Sequence, residues 1–210
     1  HAPVIVVSGD EEILRTIKKY GGKCLRTYQQ HENGFSRITE AHQSLNYSRY
    51  ILLQGDELLI NPKYLNVLQK AIKSKDGYFY NTVSRINQIK ELSDVNIVKC
   101  VLSANKNINY MFRISPFTST KRQQLKFVYK VNGLFGFTKK TLENLNIKFL
   151  SLKSMSESIE QLSFLDQNFT IRAVEVDRSF PSVNVKSDLS VAIKLLKSDY
   201  VQRNIKINVY

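Results

Sequence analysis

The sequence has no tryptophan and only two cysteines, four prolines and three histidines in 210 residues. Cys24 and Cys100 lie in strand-like runs without Cys-x-x-Cys spacing or clustered histidines, which argues against zinc and favours buried free thiols in a reducing compartment. No apolar run approaches the roughly 20 residues of a membrane helix. The opening "HAPVIVVSG" lacks the basic leader and cleavage pattern of a signal peptide. We therefore expect a soluble, cytoplasmic protein without membrane insertion.

Acidic residues are also scarce, since 18 Asp and Glu stand against 31 Lys and Arg, for a net charge of +13. A positive excess of this size can indicate an anionic partner, such as a nucleotide, a nucleic acid or a membrane surface. The basic residues are nevertheless scattered, as in "IKKYGGK", "KAIKSK" and "FTKKTL", and no zinc-finger, RNP or other nucleic-acid motif accompanies them. We interpret the charge as background composition and expect no specific nucleic-acid partner. A basic nucleic-acid-binding domain is the weakest of the hypotheses considered.

The first third of the sequence alternates strand-like runs with amphipathic segments. Residues 4–8, 23–27 and 50–54 form short apolar runs typical of strands. Helical spacing of apolar residues follows each of them, and Asn61 with Pro62 predicts the start of the third helix. Parallel neighbours need crossovers of this kind, so the pattern predicts a parallel sheet with helices packed on its faces.

The second half is richer in strands. Residues 78–84, 96–103, 108–114 and 127–137 are strand-like with little helical pattern between them, which predicts antiparallel strands or a small subdomain. A helix is expected from Leu162, followed by a strand over 170–176 and a terminal helix that Ser187 would cap. Because repeats and low-complexity linkers are absent from the sequence, we expect one α/β domain over residues 1–210. Residues 108–137 are a candidate dimerisation or sugar-side subdomain.

Two adjacent acids, Asp56 and Glu57, follow the strand at 50–54 and a glycine. In open α/β sheets, ligands bind beyond the carboxyl ends of the strands, which is where these carboxylates fall. Asp56 could instead cap a helix, but the next helix begins several residues later and Asn61 already serves as its cap. Paired carboxylates without a structural partner favour a hard cation such as Mg²⁺, completed by substrate phosphates.

The segment "QGDELLI" resembles the Q-G-D-E-P-L-I motif of the 3-deoxy-manno-octulosonate cytidylyltransferases, the CMP-Kdo synthetases. Further segments resemble motifs of that family in the same order and at similar spacing. They are "VIVVSGDEEI" with "YGGK", "HENGFSRITEA", "YMFR" with "SPF", "ESIEQL", and "IRAVEV" with "FPSVNVKSDLSVA". The sequence is therefore identified as a member of this family over nearly its whole length.

The resemblance implies a Rossmann-like nucleotidyltransferase fold of the glycosyltransferase-A type, which is a mixed sheet flanked by helices with a small antiparallel subdomain. It implies an enzyme that takes CTP and a 2-keto-3-deoxy sugar acid, attaches CMP to the anomeric hydroxyl and releases pyrophosphate, for lipopolysaccharide or capsule synthesis. Mg²⁺ as cofactor and a homodimer formed by second-half strands are further implications. Such a protein mainly positions its reactants and neutralises phosphate charge.

The resemblance also assigns nucleotide and metal roles to individual residues. Asp56 and Glu57 would be the catalytic acids, and Asp56 with Asn184 would bind the metal. The nucleotide would be contacted by Gly34, Arg37 and Gln54.

The remaining assignments concern the sugar acid. The implied contacts are Arg113, Phe135, Glu160 and Gln161. A guanidinium at position 113 suits the carboxylate of such a sugar. From the sequence alone, a surface arginine is an equally good interpretation of Arg113, and an exposed helix face is an equally good one of Glu160 and Gln161.

Several positions depart from the family pattern. The family's P-A-R-x-x-S-x-R-L-P-G-K loop, whose Arg and Lys hold the CTP phosphates, has no counterpart in these 210 residues. Asn184 stands where the family has a second metal-binding Asp. Val131 and Phe135 replace a His and a Tyr that face the sugar. These replacements favour an alternative hypothesis, a non-catalytic homologue that binds sugar, nucleotide or a protein partner.

Overall fold

Strands and helices alternate along most of the chain in the computed structural model, which describes residues 2–74 and 77–207. The strands are β1 Ile5–Ser8, β2 Lys23–Arg26, β3 Arg49–Leu53, β4 Phe79–Arg85, β5 Lys99–Leu102, β6 Ile108–Phe112, β7 Val128–Thr138 and β8 Ile171–Val176. The helices are α1 Glu11–Lys19, α2 Gly34–Ala41, α3 Pro62–Ser74, α4 Ile89–Ser93, α5 Lys121–Gln124, α6 Lys139–Glu143, α7 Leu152–Glu157, α8 Gln161–Asp166, α9 Lys186–Ser198 and α10 Tyr200–Ile207. Every strand predicted from the sequence has a counterpart, displaced by at most three residues at either end. Within these described ranges, no helix combines the length and the apolar character needed to cross a bilayer.

Six of the strands form a mixed sheet. Its order is β6-β5-β7-β4-β8, with β3 paired to β7 outside that path, while β1 and β2 form a separate parallel pair. β7 runs antiparallel to β3, β4 and β5, whereas β4 and β8 are parallel. A mixed sheet flanked by helices confirms the fold class expected from the resemblance.

The predicted parallel pairing of the first three strands is correct for β1 and β2 and wrong for β3. β3 pairs antiparallel with β7, from Arg49 opposite Thr138 to Leu53 opposite Leu134. Because β7 is also antiparallel to β4, β3 and β4 still run in the same direction, as their connection through α3 requires. The strand–helix–strand pattern thus predicted the direction correctly. The intervening partner comes from much later in the chain, and local sequence carries no signal for it.

The sequence predicts a polar cap for two of the helices, correctly for α3 and wrongly for α9. Asn61 Oδ1 accepts from Lys63 N at 3.1 Å at the start of α3, in agreement with the sequence prediction. The predicted Ser187 cap of the terminal helix is wrong, because α9 begins at Lys186 and already includes that serine. The Asp188 carboxylate accepts instead from the backbone N–H groups of residues 184 and 185, at 2.9 and 3.0 Å.

The core consists of apolar layers on opposite faces of the mixed sheet. Side chains alternate between the faces along β4, so that Phe79 packs into one layer and Tyr80 into the other. In the layer that contains Tyr80, α3 packs on the sheet through Leu68 and Ile72. The first layer contains a phenylalanine cluster made of Phe35, Phe79, Phe135, Phe137 and Phe164. Because both faces are covered, the sheet is the base from which the loops at its edge are positioned.

A bulge interrupts the pairing of β4 with β7. The register joins residue 81 to 135 and residue 83 to 131, so residues 132–134 of β7 lie opposite Thr82 alone. The fully buried Asn81 amide donates to the carbonyls of residues 132 and 134, at 2.9 and 3.3 Å. These bonds satisfy carbonyl groups that the strand ladder leaves free. The bulge, residues 132–134, therefore remains stable and brings Gly133 to the edge of the sheet.

Gly136 lies on β7 where α3 packs closely on the strand. A Cβ atom at this position would lie 2.7 Å from Ile72 Cγ1 and 3.1 Å from Leu68 Cγ. We expect Gly136→Ala to lower the free energy of unfolding by about 1–3 kcal/mol in urea denaturation, because the added methyl group overpacks a buried contact. Gly55→Ala is the matched control, since a Cβ there would meet no described atom within 4 Å. It should change the free energy of unfolding by less than about 0.5 kcal/mol.

A double-mutant cycle tests whether contact with α3 causes the loss of stability in Gly136→Ala. Ile72→Val removes the terminal methyl group of Ile72, the atom nearest to the added Cβ. Gly136→Ala and Ile72→Val should therefore cost less together than the sum of their separate costs. Strict additivity, or a Gly136→Ala variant as stable as Gly55→Ala, would show that α3 leaves room at this position.

Candidate functional site

A cleft of about 1120 Å³ opens at one edge of the mixed sheet. The segments that follow β3, β4 and β8 line it, together with the bulge in β7 and the start of α2. β3, β4 and β8 run in the same direction, so the cleft lies beyond their carboxyl ends, where α/β proteins bind ligands. Sites for one drug-sized ligand usually measure roughly 300–1,000 Å³, so this cleft has room for two small molecules side by side.

Most of the residues assigned to the site from the sequence come together in this cleft. Nine of the ten line it: Gly34, Gln54, Asp56, Glu57, Arg113, Phe135, Glu160, Gln161 and Asn184. Arg37 is the exception within the described part of the chain. Its Nη1 donates to Thr27 Oγ1 at 2.7 Å, in the loop after β2. A nucleotide contact by Arg37 stays a prediction.

The two adjacent acids lie on a turn, residues 54–57, that follows β3. Gln54 N donates to Gly133 O at 3.0 Å, and Glu57 N donates to Gln54 O at 3.2 Å, so the bulge in β7 fastens this turn. Glu57 Oε1 accepts from Gly133 N and from Ser182 Oγ, both at 3.0 Å. Burial raises the pKa of Glu57 above its ordinary value, although both hydrogen bonds oppose the shift. Glu57 is thus held by two donors, while Asp56 beside it lines the cleft.

Gly133 is required by the close approach of this turn to the sheet. A Cβ atom at position 133 would lie 2.5 Å from Gln54 Oε1 and 2.8 Å from Glu57 Cγ. Any larger residue would push the turn, and the acids that it carries, away from the bulge. The glycine is therefore needed for the close contact between the bulge and the turn, although its φ lies outside the left-handed region.

The segment after β8 holds Asn184 beside the acid turn. Val183 N donates to the backbone carbonyl of Asp56 at 2.9 Å, and Asn184 follows directly. In residues 2–74 and 77–207, no group of three or more His, Cys, Asp or Glu side chains could hold a metal ion by itself. Mg²⁺ takes many of its ligands from phosphate and water, so a site formed by Asp56 and Asn184 would need no third protein ligand, and their metal role stays a prediction.

Arg113 is held in another wall of the cleft by backbone carbonyl groups. Its Nε donates to Glu157 O at 2.6 Å, its Nη1 to Val95 O at 2.9 Å and its Nη2 to Ser158 O at 3.0 Å. Three of the five guanidinium N–H groups are used in this way, which leaves two for a ligand. Arg113 therefore ties the end of α7 to the segment before β5, in addition to the sugar-acid contact assigned to it from the sequence.

Lys99 supports the same wall from inside. The residue is fully buried, and its Nζ donates to the carbonyls of Asp94 and Arg113, each at 2.5 Å. Burial lowers the pKa of Lys99 to about 8. The sequence reasoning missed this role because a lysine within a strand-like run is typical of an exposed edge.

Glu160 brings a buried carboxyl group to the cleft. It accepts a hydrogen bond from the backbone N–H of Phe35, while its Oε2 is buried without a partner among the described residues. Burial raises the pKa of Glu160 to about 7. Near neutral pH the group is therefore partly protonated and can donate as well as accept a hydrogen bond, which suits a hydroxyl-bearing ligand. Gln161, the first residue of α8, lies next to it in the chain.

Phe135 and Gly34 give the cleft an apolar part. Phe135 is only 3% exposed and packs edge-on against Phe35, with ring centroids 5.1 Å apart. Gly34 begins α2, and a Cβ atom there would lie 3.5 Å from Leu52 Cδ2. Phe135 is therefore chiefly a core residue, and only its exposed edge can meet a ligand.

The cleft is acidic although the chain as a whole is strongly basic. Among the described lining residues, seven are Asp or Glu and three are Lys or Arg, a formal balance of −4 against +13 for the whole chain. The basic ones are Lys90, Arg113 and Lys130. Cations bound with a polyanionic ligand would offset the repulsion that it meets at this lining.

Sequence reasoning missed further lining residues, above all Ser182 and Asn132. Ser182 lies after β8, so the rule that assigned Asp56 to the carboxyl end of β3 could have found it as well. Asn132 offers no comparable signal, because only the bulge in β7 brings it to the cleft.

Comparisons with known proteins agree on one family. A family model described as cytidylyltransferase matches residues 1–173 of the chain. A 3-deoxy-manno-octulosonate cytidylyltransferase of Chlorobium limicola is 30% identical over 202 residues, covering 94% of this chain and 81% of that protein. One from Thermodesulfovibrio yellowstonii is 30% identical over 209 residues, covering 93% and 82%. A solved structure of CMP:2-keto-3-deoxy-manno-octonic acid synthetase complexed with CTP has a similar fold, with a TM-score of 0.86 and 24% identity, and the match covers 94% of this chain and 82% of that one.

The raised pKa of Glu160 makes the stability of the protein depend on pH. Between the ordinary carboxyl value of 4.5 and about 7, the folded protein holds a proton on Glu160 that the unfolded chain has released. The free energy of unfolding therefore falls as the pH rises through this window, by up to about 3 kcal/mol. Glu160→Gln removes this dependence. Relative to the parent, the variant should therefore be more stable at about pH 8 than at about pH 5, when both proteins are unfolded in urea at each pH.

Glu12→Gln is the matched control for this measurement, because Glu12 is exposed on α1 and lies outside the cleft. Its difference from the parent should be the same at both pH values. If the difference between Glu160→Gln and the parent is equally independent of pH, then Glu160 does not retain its proton in the folded protein.

Proposed function

Because the chain belongs to the cytidylyltransferase family, we propose that it couples CMP from CTP to 3-deoxy-manno-octulosonate or a closely related 2-keto-3-deoxy sugar acid, with release of pyrophosphate. The observation that carries the proposal is the convergence in one cleft of nine residues assigned from the sequence to catalysis, nucleotide, metal and sugar. The identity shared with two 3-deoxy-manno-octulosonate cytidylyltransferases supports the choice of substrates.

The proposed reaction is a displacement at the α-phosphorus of CTP. The anomeric hydroxyl oxygen of the sugar acid bonds to this phosphorus while the bond to the bridging oxygen of the pyrophosphate breaks, and the hydroxyl proton is released. Both reactants are anions, so the protein has to hold them in line and to compensate their charge. The size of the cleft, about 1120 Å³, is consistent with two ligands bound together.

We propose that Asp56 and Asn184 hold Mg²⁺ together with the nucleotide. When bound, the ion supplies positive charge to phosphate oxygens in a cleft whose own lining is acidic. Asp56 contributes a carboxylate oxygen and Asn184 an amide oxygen. Lys90 and Lys130 add fixed positive charge to the same cleft.

The sugar acid is proposed to bind at Arg113, Glu160 and Gln161. The two guanidinium N–H groups of Arg113 that no backbone carbonyl uses suit the carboxylate of the sugar acid. Glu160, with its pKa near neutrality, suits a sugar hydroxyl as donor or acceptor. Gln54 and Gly34 are proposed to contact the nucleotide.

The proposal extends to assembly, cellular location and biological role. We propose a homodimer formed through strands of the second half, working in the cytoplasm and supplying an activated sugar for lipopolysaccharide or another surface polysaccharide. Exposed apolar side chains near β6 and β7, Ile114 at 71% exposure and Phe127 at 39%, support contact with a second copy there.

A second candidate is a homologue that binds nucleotide or sugar without turnover. Asn184 favours it, because an amide oxygen binds Mg²⁺ more weakly than the carboxylate that the family pattern has at this position. Turnover by the parent protein decides between the two candidates, and the variants below then test the assigned metal ligands.

Asp56→Asn should remove most of the activity. The amide keeps the size of the side chain but lacks its charge, so we expect pyrophosphate release from CTP and 3-deoxy-manno-octulosonate to fall by about 10²–10³-fold. Asp177→Asn is the matched control, since Asp177 is exposed outside the cleft and pairs with Lys63 at 2.5 Å. It should stay within about twofold of the parent. Equal activity of Asp56→Asn and the parent would remove Asp56 from the mechanism, and a parent that binds CTP without turnover would support the second candidate.

Asn184→Asp tests whether this position faces the cation. A second carboxylate strengthens a site for a hard divalent ion, so the Mg²⁺ concentration for half-maximal pyrophosphate release should fall by about tenfold. A Mg²⁺ titration at saturating CTP measures this value for parent and variant. Asn66→Asp, the same change on an exposed position of α3 outside the cleft, should leave it unaltered. An unchanged value in Asn184→Asp would mean that position 184 does not contact the ion.

A further inference from the structure

The Glu57 carboxylate joins three distant parts of the chain through one oxygen atom. Oε1 accepts from Gly133 N on the bulge in β7 and from Ser182 Oγ in the segment after β8, both at 3.0 Å. Glu57 itself belongs to the turn after β3. The two donors are 76 and 125 residues away in the sequence. This oxygen therefore fastens together segments that no local structure connects.

Two backbone hydrogen bonds flank this oxygen. Gln54 N donates to Gly133 O at 3.0 Å, and Val183 N donates to Asp56 O at 2.9 Å. Asp56 thus lies between two fastened points, the bulge on one side and the segment after β8 on the other. Asn184, which is proposed to share Mg²⁺ with Asp56, is the next residue of that segment.

The two ends of this connection differ in how firmly the fold holds them. The bulge is fixed by the sheet, because Asn81 Nδ2 donates to the carbonyls on both sides of Gly133. Ser182, in contrast, lies in a segment between β8 and α9 that has no regular secondary structure. The bonds to Glu57 and Asp56 join residues 181–184 to the acid turn, whereas the bond of Asn184 N to the Asp188 carboxylate joins them only to α9.

We infer that Glu57 is a positioning residue and not a catalytic one, and that its Oε1 sets the separation of Asp56 and Asn184 by holding residues 181–184 against the bulge in β7. The inference rests on the proposed function, because it takes Asp56 and Asn184 as the metal-binding pair. This role requires an acceptor oxygen at Oε1 and no negative charge. A general base or a metal ligand at position 57, in contrast, requires the carboxylate itself.

Two substitutions at position 57 separate these roles. Glu57→Gln keeps an acceptor oxygen with the same reach and removes the charge, whereas Glu57→Ala removes both. We expect Glu57→Gln to keep kcat and the half-maximal Mg²⁺ concentration within about threefold of the parent. Glu57→Ala should raise that Mg²⁺ concentration by about tenfold or more, because the metal-binding pair is no longer held together. A general base would instead lose kcat in both variants alike.

Amide hydrogen exchange follows the same connection without requiring turnover. Exchange of the segment 181–185 should accelerate by about tenfold in Glu57→Ala and in Ser182→Ala, and stay at the parent rate in Glu57→Gln. Ser182→Ala keeps the carboxylate, so it covers the case in which Glu57→Ala does not fold. Ser187→Ala, at an exposed position of α9, is the matched control and should leave this segment unchanged.

Two results overturn the inference. One is an unchanged exchange rate at 181–185 in both Glu57→Ala and Ser182→Ala. The other is a Glu57→Gln variant as impaired as Glu57→Ala in its Mg²⁺ dependence. A parent protein that releases no pyrophosphate with any 2-keto-3-deoxy sugar acid contradicts the proposed function alone, and the exchange rates then decide on Glu57 by themselves.

Discussion

The backbone of β7 pairs with β5, β4 and β3 in turn along its 11 residues. Without these pairs, β3 would lose its place in the mixed sheet, and the β5–β6 hairpin would be joined to the β4–β8 pair only by the bridge between Asn107 and Arg172 among the described residues. The bulge interrupts β7 at the point where the turn after β3 comes alongside it. The same strand therefore sets the order of the sheet and supplies the backbone groups that hold the acidic turn.

The wall assigned to the sugar acid is constructed on a different principle. Arg113 and Lys99 direct their charged groups to the carbonyls of residues 94, 95, 113, 157 and 158, most of which lie outside regular elements. Buried carbonyls need donors, and charge-assisted hydrogen bonds are the stronger kind. Two cationic side chains thus supply the hydrogen bonds that a neighbouring strand or helix would otherwise supply. Arg113 both holds this wall together and carries the proposed contact with the sugar acid.

Short-range signals account for what the sequence predicted of this fold. Apolar patterning predicted the strands, Asn61 with Pro62 predicted the start of α3, and the carboxyl-end rule singled out Asp56. Long-range pairing determined the rest, including the position of β7 between β3 and β4 and the bond of Ser182 to Glu57 across 125 residues.

The predicted cap of α9 and the predicted site residues Glu160 and Asn184 depended on neither apolar patterning nor long-range pairing. The predicted Ser187 cap was wrong for a local reason, because α9 already begins at Lys186 and Asp188, in its first turn, accepts from the backbone N–H groups of residues 184 and 185. Glu160 and Asn184 carry no local signal for a site, and only the resemblance to a known family drew attention to them. Their presence in the cleft is the part of the site that patterning and spacing could not have predicted.

The chain as a whole is basic whereas the cleft is acidic. The rate at which a polyanion arrives and the time that it stays bound therefore depend on different protein charges. A net charge of +13 attracts a polyanion such as a nucleotide from solution, and this electrostatic steering weakens as added salt shortens the Debye length. At close range the ionised acidic side chains among the described lining residues repel the same molecule. A nucleotide would therefore be attracted by the chain as a whole and repelled at the lining of the cleft, so its arrival rate and its residence time would depend on protein charges of opposite sign.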